Sequence, residues 1–283
     1  MRSSLPRHVK RVARTLPATI SRPPYVPPGH FYSPLTAAGD VERALSARDD
    51  PSVRNDGTPG VDLRAEAQLA LAEEFLPSLD APFEGPRYAP GNGMYDAADA
   101  AVYRAMARHL RPRRVMEIGS GHSTALLLDT VEDVELTCVE PYADRLRSVL
   151  RDDDRVEIVE RPVQDVPLES YASLGAGDIL FIDSTHVVKA GSDVVWLFLQ
   201  VLPRLAAGVV VHVHDVFWPF EYPAAWLREG RDWTEDYLLH AFLAGNGDWE
   251  ILLFSSWLWK EHHALIPASL KAEEPGSIWL RRT

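Results

Sequence analysis

Between residues 114 and 214 the chain carries five short apolar runs, and stretches with helical spacing lie between them. The runs are rich in Val and Ile and too short to be helices, which suits buried strands. Strands are predicted over 114–118, 134–139, 156–159, 178–182 and 209–213, with helices over 122–129, 143–150, 168–172 and 192–205. Strands alternating with helices call for a mostly parallel sheet covered on both faces. An alanine-rich amphipathic helix over 94–110 precedes the alternation. One long helix over 223–243, a strand at WEILLF, a polar Trp-bearing linker and a last strand at SIWLRR follow it. The fold class is therefore α/β, a doubly wound sheet of seven strands.

Residues 91–283 form the domain in this reading, and 1–90 an N-terminal extension. Proline- and glycine-bearing stretches (PPYVPPG, RNDGTPG) make residues 1–62 irregular, with a helix near 63–75. A chain of 283 residues fits one large α/β domain. No run of eighteen apolar residues marks a membrane span, and the basic N-terminus lacks a secretory apolar stretch, so a cytoplasmic chain is expected. Lone Cys138 permits no internal disulfide and reads as a small buried hydrophobe. A net charge of -12 argues against a nucleic-acid partner.

The segment VMEIGSGHST (115–124) turns from strand to helix through two glycines. Gly119 and Gly121 let the backbone turn sharply and approach a ligand, with Ser120 and Ser123 on the same loop. The helix that follows opens with free N–H groups. Glu117 would be unhelpful beside a pyrophosphate but suits a cofactor with cationic centres. Glu140 ends the second strand, followed by Pro141, about one strand–helix–strand step after Gly119, where a carboxylate can accept from both ribose hydroxyls. The loop departs from a dinucleotide fingerprint because Thr124 stands at its third glycine position. An ordinary strand carboxylate is the plain alternative for Glu117.

DILFIDSTHVVK (178–189) places Asp183 at the carboxyl end of a buried strand and His186 on the loop beyond it. GVVVHVHDVFWPF (208–220) puts His212 and His214 on one strand face, with Asp215 at the end. Asp183, His186, His214 and Asp215 are candidate ligands of a divalent ion. Magnesium or manganese suits oxygen-rich ligation, and iron, zinc or cobalt suits a set that includes an imidazole. Such an ion can orient and acidify an acceptor hydroxyl, with His186 the first choice as general base and Asp183 and His214 beside it. The plain alternatives are a helix cap for Asp215 and a satisfied buried imidazole for His212. Trp218, Phe220 and Tyr222 would either wall an acceptor pocket or fix the next helix. Most of the tryptophans, clustered after Asp215, are expected in the core. GNGMYDAAD, from Gly91, is either a lid presenting Tyr95 and Asp96 or a loop in which Asn92 or Asp96 caps a helix.

Together these residues resemble class I S-adenosylmethionine-dependent methyltransferases over roughly residues 94–254. VMEIGSGHST is similar to their first motif, and the acidic end of LTCVEP to their ribose position. FIDSTHVVKAGSDV, HVHDVFWPFEYP and SIWLRR resemble a bacterial branch of methyltransferase family 24. The resemblance implies a Rossmann-like methyltransferase fold and S-adenosylmethionine as cofactor. A second likeness, to catechol O-methyltransferase, implies metal positions at Asp183 and Asp215, with His186 at the spacing of that family's basic lysine. Val216 stands where that family has an asparagine ligand. RPVQD resembles its adenine loop and implies a contact from Gln164.

The expected function is methyl transfer to a small molecule, at oxygen with nitrogen left open, in a setting such as secondary metabolism. The alternatives are another S-adenosylmethionine-using transferase or cyclase, an NAD(P)-dependent oxidoreductase, and a non-catalytic interaction subunit. A homodimer is expected from frequency alone.

Overall fold

The computed structural model describes residues 24–50, 58–83 and 85–283. The basic tail, the first residue of PPYVPPG and the start of RNDGTPG lie outside the described residues. Helices α1 (Ala38–Asp49), α2 (Ala65–Leu79) and α3 (Ala97–Leu110) precede β1 (Arg114–Ile118). Then come α4 (His122–Thr130), β2 (Glu135–Val139), α5 (Asp144–Val149), β3 (Val156–Val159) and β4 (Ile179–Ile182). Helix α6 (Asp193–Trp196) continues through a π turn and a 3-10 turn to Arg204. The chain ends with β5 (Val210–His214), α7 (Ala224–Glu229), α8 (Glu235–Leu243), β6 (Trp249–Phe254), α9 (Ser255–Glu261) and β7 (Ser277–Arg282).

The sheet has seven strands in the order β3-β2-β1-β4-β5-β7-β6. Strands β1 to β5 pair in parallel, while β7 runs antiparallel to both β5 and β6. This is the doubly wound, mostly parallel sheet the alternation required. Strand β4 is apolar and buried at every position, from Ile179 to Ile182, as a strand covered on both faces must be. The strand order reverses between β1 and β4, and open α/β sheets bind ligands in the crevice outside such a point.

Four local expectations are corrected. Residues 38–49 form α1 where irregular chain was expected, because Val41 and Leu45 find an apolar seat on Phe217, Tyr222 and Leu227. Helix α2 runs on to Leu79 despite Pro77. Its free carbonyls and the turn beyond are gathered by the buried Arg104 guanidinium, which donates to Ser78, Leu79, Ala81 and Pro82. The single helix over 223–243 is two helices, because Gly230 at φ 72° terminates α7 and the chain re-enters helix only after Thr234. The linker after β6 contains helix α9, which buries Trp257 and Trp259. The core expectation for the tryptophans holds for these two and for Trp218, Trp249 and Trp279.

The chain before α3 is fastened to the sheet layer by charge as well as packing. The Arg87 guanidinium spans Asp129 on α4 and Asp154 before β3, and its contact with Asp129 is 3.0 Å. Asp129 also accepts from the backbone of Arg87 (2.8 Å) and Tyr88 (3.0 Å). All three charged side chains are largely buried, so removing one strands the others. Asp129→Ala is expected to lower the unfolding free energy by about 3 kcal/mol in chemical denaturation at neutral pH. A loss below about 1 kcal/mol, as for a surface pair, would show that the clamp contributes little.

Candidate active site

The site begins where the ends of β1 and β4 meet. Gly119 has φ 82°, and a Cβ there would lie 1.8 Å from the Asp183 carbonyl oxygen. Only glycine lets the β1 loop close against β4. The Asp183 N–H donates to the Ile118 carbonyl at 2.9 Å, so the two strand ends are bonded as well as packed.

Glu117 is fully buried beneath this loop. Its Oε2 accepts from the Thr124 hydroxyl, with Cys138 Sγ 3.7 Å away, while Oε1 has no partner. Burial pushes this carboxyl up to about 7, against the hydrogen bond from Thr124. Thr124 Oγ1 also accepts from the Gly121 N–H at 3.1 Å, so the residue replacing a third glycine ties the loop to Glu117. Glu140 sits at the end of β2, accepting from the N–H of Ser120 (3.3 Å) and of Tyr142 (2.9 Å). Ser120 Oγ is buried without a partner, Ser123 is buried at the start of α4, and Pro141 is exposed. Gln164 donates to the Gly191 carbonyl at 2.8 Å, which binds its loop to the one before α6. A lone buried carboxylate oxygen, a lone buried hydroxyl and a carboxylate at the next strand end fit a ligand that brings an ammonium and hydroxyls.

On the other side of the Gly119 contact, Asp183, His186 and Asp215 each bring a ligand atom within 4.8 Å of the others. His186 Nε2 lies 3.4 Å from Asp183 Oδ1 and 3.6 Å from Asp215 Oδ2. Its Nδ1 is 2.8 Å from Glu235 Oε2 at the start of α8. His186 (φ 59°) and Asp215 (φ 56°) both occupy the left-handed region, which side chains adopt at a cost and which clusters at functional sites. The fourth expected ligand, His214, stands outside this set, with Nε2 3.7 Å from Asp215 Oδ1 and Nδ1 4.0 Å from Asp99 Oδ1.

The charges are strongly coupled. Burial acts to raise the Asp183 carboxyl, but the imidazoles of His214 and His186 outweigh it and hold it at about 2. Burial raises Asp215 despite the same imidazoles. Burial also works against charge on His186, yet Asp183, Glu235 and Asp215 hold its proton well above the usual range. With a carboxylate at each nitrogen, His186 is built as a ligand or a cation rather than as a free base. His212 shares a strand face with His214, as the alternation required. It is buried between Phe181, stacked at 4.2 Å, and Trp279 at 4.5 Å. Neither of its nitrogens finds a partner, so it is not the satisfied imidazole of the plain alternative, and burial keeps it neutral.

In the GNGMYDAAD loop, Asn92 Oδ1 accepts from the N–H groups of Met94 and Tyr95, both at 2.9 Å, and Asp96 holds the N-cap position of α3 without a side-chain bond. Tyr95 is buried with its ring 5.1 Å from that of His214. Trp218, Phe220 and Tyr222 are buried and pack the chain into α7, α8 and α9. Sequence reasoning missed Glu235, Asp99 and Trp233. Asp99 is a carboxylate among alanines on the buried face of α3, raised to about 7 by burial, and that placement was a readable signal. Glu235, and Trp233 whose ring lies 4.4 Å from that of His186, needed the helix break at Gly230 to be seen.

Residues 116–216 match the family model described as a methyltransferase domain. The match covers less than half of the chain, and the mostly parallel seven-stranded sheet around it has the arrangement of a class I methyltransferase fold. An uncharacterized protein of Archaeoglobus fulgidus is 34% identical over 167 residues, covering 52% of this chain and 73% of that protein. The chain belongs to one family with this archaeal protein. Among solved structures it is similar to the methyltransferase PaMTH1 of Podospora anserina bound to S-adenosylhomocysteine, at 17% identity, TM-score 0.44, 88% of this chain and 98% of that one. It is also similar to cofactor-bound Rv0187 from MTB, at 20% identity, TM-score 0.40, 75% of this chain and 87% of that one.

The Glu117 carboxyl gives a signed expectation. Its pKa is raised on folding from 4.5 to about 7, so the native ligand-free protein holds a proton there that the unfolded chain releases. That contribution is present at low pH and is lost as pH rises through about 7, on the order of 3 kcal/mol in full. Glu117→Gln, which cannot titrate, is expected to flatten the fall in stability between pH 5 and 8 in denaturant titrations. An unchanged slope would show that Glu117 is ionised in the native state throughout.

Proposed function

We propose that the protein transfers the methyl group of S-adenosylmethionine to an oxygen of a small molecule, with a divalent ion held by Asp183, His186 and Asp215. The observation that carries this reading is the placement of two unlike receptors on either side of one backbone contact. Glu117, Ser120 and Glu140 flank the glycine loop, and the Asp/His/Asp group opens from the same sheet edge beyond Asp183.

In this reading Glu117 Oε1 and the loop receive the amino acid end of the cofactor, with Ser120 and Ser123 beside them. Glu140 accepts from the ribose hydroxyls, next to Pro141, and Gln164 lies on the adenine side. Asp183 stands between the two halves and serves both. An ion bound there would supply Lewis acidity that lowers the pKa of an acceptor hydroxyl. Among the described residues no Lys or Arg forms an ion pair with Asp183 or Asp215; His186 and His214 approach them and Arg231 acts on Asp215 at longer range, so a cation would find two carboxylates there. His186 acts as a ligand, and His214, whose Nδ1 makes no hydrogen bond and lies 4.0 Å from Asp99 Oδ1, is the imidazole left to take a proton. Holding acceptor oxygen and methyl group in line is where most of the rate gain would arise. The chain's acidity favours a small acceptor over nucleic acid. No helix among the described residues is long and apolar enough to cross a membrane. A homodimer and a cytoplasmic, secondary-metabolic setting remain part of the proposal.

Calorimetric titration of metal-stripped protein with S-adenosylhomocysteine is expected to show binding, and Glu140→Ala to weaken it by about tenfold to a hundredfold. Failure of the unmodified protein to bind would sink the cofactor assignment. Methyl transfer from labelled S-adenosylmethionine to a panel of hydroxylated compounds is expected to be abolished by Asp183→Ala. Near-normal turnover by that variant would remove Asp183 from the site.

A further inference from the structure

The one residue that fixes His186 from behind has no other evident task. Glu235 is fully buried at the first turn of α8, and only its Oε2 finds a donor, His186 Nδ1 at 2.8 Å. Its Oε1 is buried without a partner. A buried carboxylate that satisfies so little of itself is costly unless the single contact matters. The backbone reinforces that contact. The N–H groups of Thr234 (2.9 Å) and Glu235 (3.2 Å) both donate to the His186 carbonyl, and Thr234 Oγ1 accepts from the Val188 N–H at 2.7 Å. Side chain and main chain of His186 are therefore held by the same short segment.

That grip determines which nitrogen faces the two aspartates. With Nδ1–H donating to Glu235, Nε2 is the nitrogen that faces Asp183 and Asp215, where an ion would take the place of its proton. The separations there, 3.4 and 3.6 Å, are longer than a made N–H···O hydrogen bond. They fit two ligands of one ion instead, since atoms ~2.1 Å from a common centre lie roughly 3.4 Å apart at a tetrahedral angle.

Resting on the ion site proposed above, we infer that Glu235 is a positioning residue that locks the His186 tautomer, making the site one for a nitrogen-accepting transition ion such as zinc, cobalt or iron rather than magnesium. Imidazole suits the former ions, and magnesium prefers an all-oxygen shell. A carboxylate behind a metal-binding imidazole raises its basicity and sets its orientation, and loss of such partners typically costs tenfold to a hundredfold in metal affinity.

The test uses the full chain, metal-stripped, as wild type and Glu235→Gln, titrated with Co2+ and Zn2+ by calorimetry and visible absorption. The wild type is expected to bind Co2+ with ligand-field bands that millimolar Mg2+ does not remove. Glu235→Gln is expected to bind 10- to 100-fold more weakly with its S-adenosylhomocysteine affinity unchanged. Equal Co2+ affinity in the two proteins overturns the role of Glu235 while leaving the ion site standing. Displacement of Co2+ by Mg2+ overturns the ion preference. A wild type that binds neither Co2+ nor Zn2+ overturns the ion site itself. Should the variant not fold, long-range 1H–15N correlation of the wild type with Zn2+ still decides. Metal on His186 Nε2 with Nδ1 protonated is expected, and metal on Nδ1, or none on His186, overturns the inference.

Discussion

The contact between Gly119 and the Asp183 carbonyl joins the two halves of the site. A single added carbon would lie 1.8 Å from that oxygen, so the ends of β1 and β4 cannot approach with any other residue there. Everything proposed about cofactor and acceptor depends on that approach. It brings the loop carrying Ser120 and Gly121 beside the strand end carrying Asp183. The parallel register of β1 with β4 keeps Glu117 opposite Phe181, one pair back from the edge.

Around that junction the protein tolerates an unusual load of buried ionisable groups. Glu117, Asp99, Glu235 and Asp236 are buried carboxyls that burial pushes toward the neutral form, while His186 and His214 are pulled toward the charged one. Such an arrangement weakens a core, and groups perturbed in this way cluster at functional sites. The π turn in α6 and the left-handed backbone at His186 and Asp215 are further departures from regular structure. The last two fall within the site itself.

Much of the fold was legible because short, continuous apolar runs alternate with stretches of helical spacing along the chain. The strand ends and the glycine loop followed from that, and with them Glu117, Glu140, Asp183 and Asp215. What was not legible depended on tertiary partners. Helix α1 needs the seat offered by Phe217 and Tyr222, and the last turn of α2 needs Arg104. The break between α7 and α8 rests on one glycine in a sequence otherwise compatible with a continuous helix. Glu235 was hidden by that break, since a residue inside a long helix gives no hint that it starts one. The strand face of His214 was legible, but the residue stands outside the Asp183, His186 and Asp215 group, because its reach depends on side-chain geometry that a two-residue period does not specify.

The reversed strand β7 has a consequence for how the molecule comes into being. It lies between β5 and β6, pairing Ser277 with His214, and the adjoining Gly276 N–H donates to Asp99. The strand that pairs with the free edge of β5 beside His214 therefore lies more than sixty positions later in the chain. On a ribosome, β1 to β5 emerge first and can pair with one another, yet the acidic corner stays open until residues 276–282 have left the exit tunnel. Assembly of this sheet edge is thus coupled to synthesis of these late residues, and a nascent chain lacking them would present an unfinished sheet.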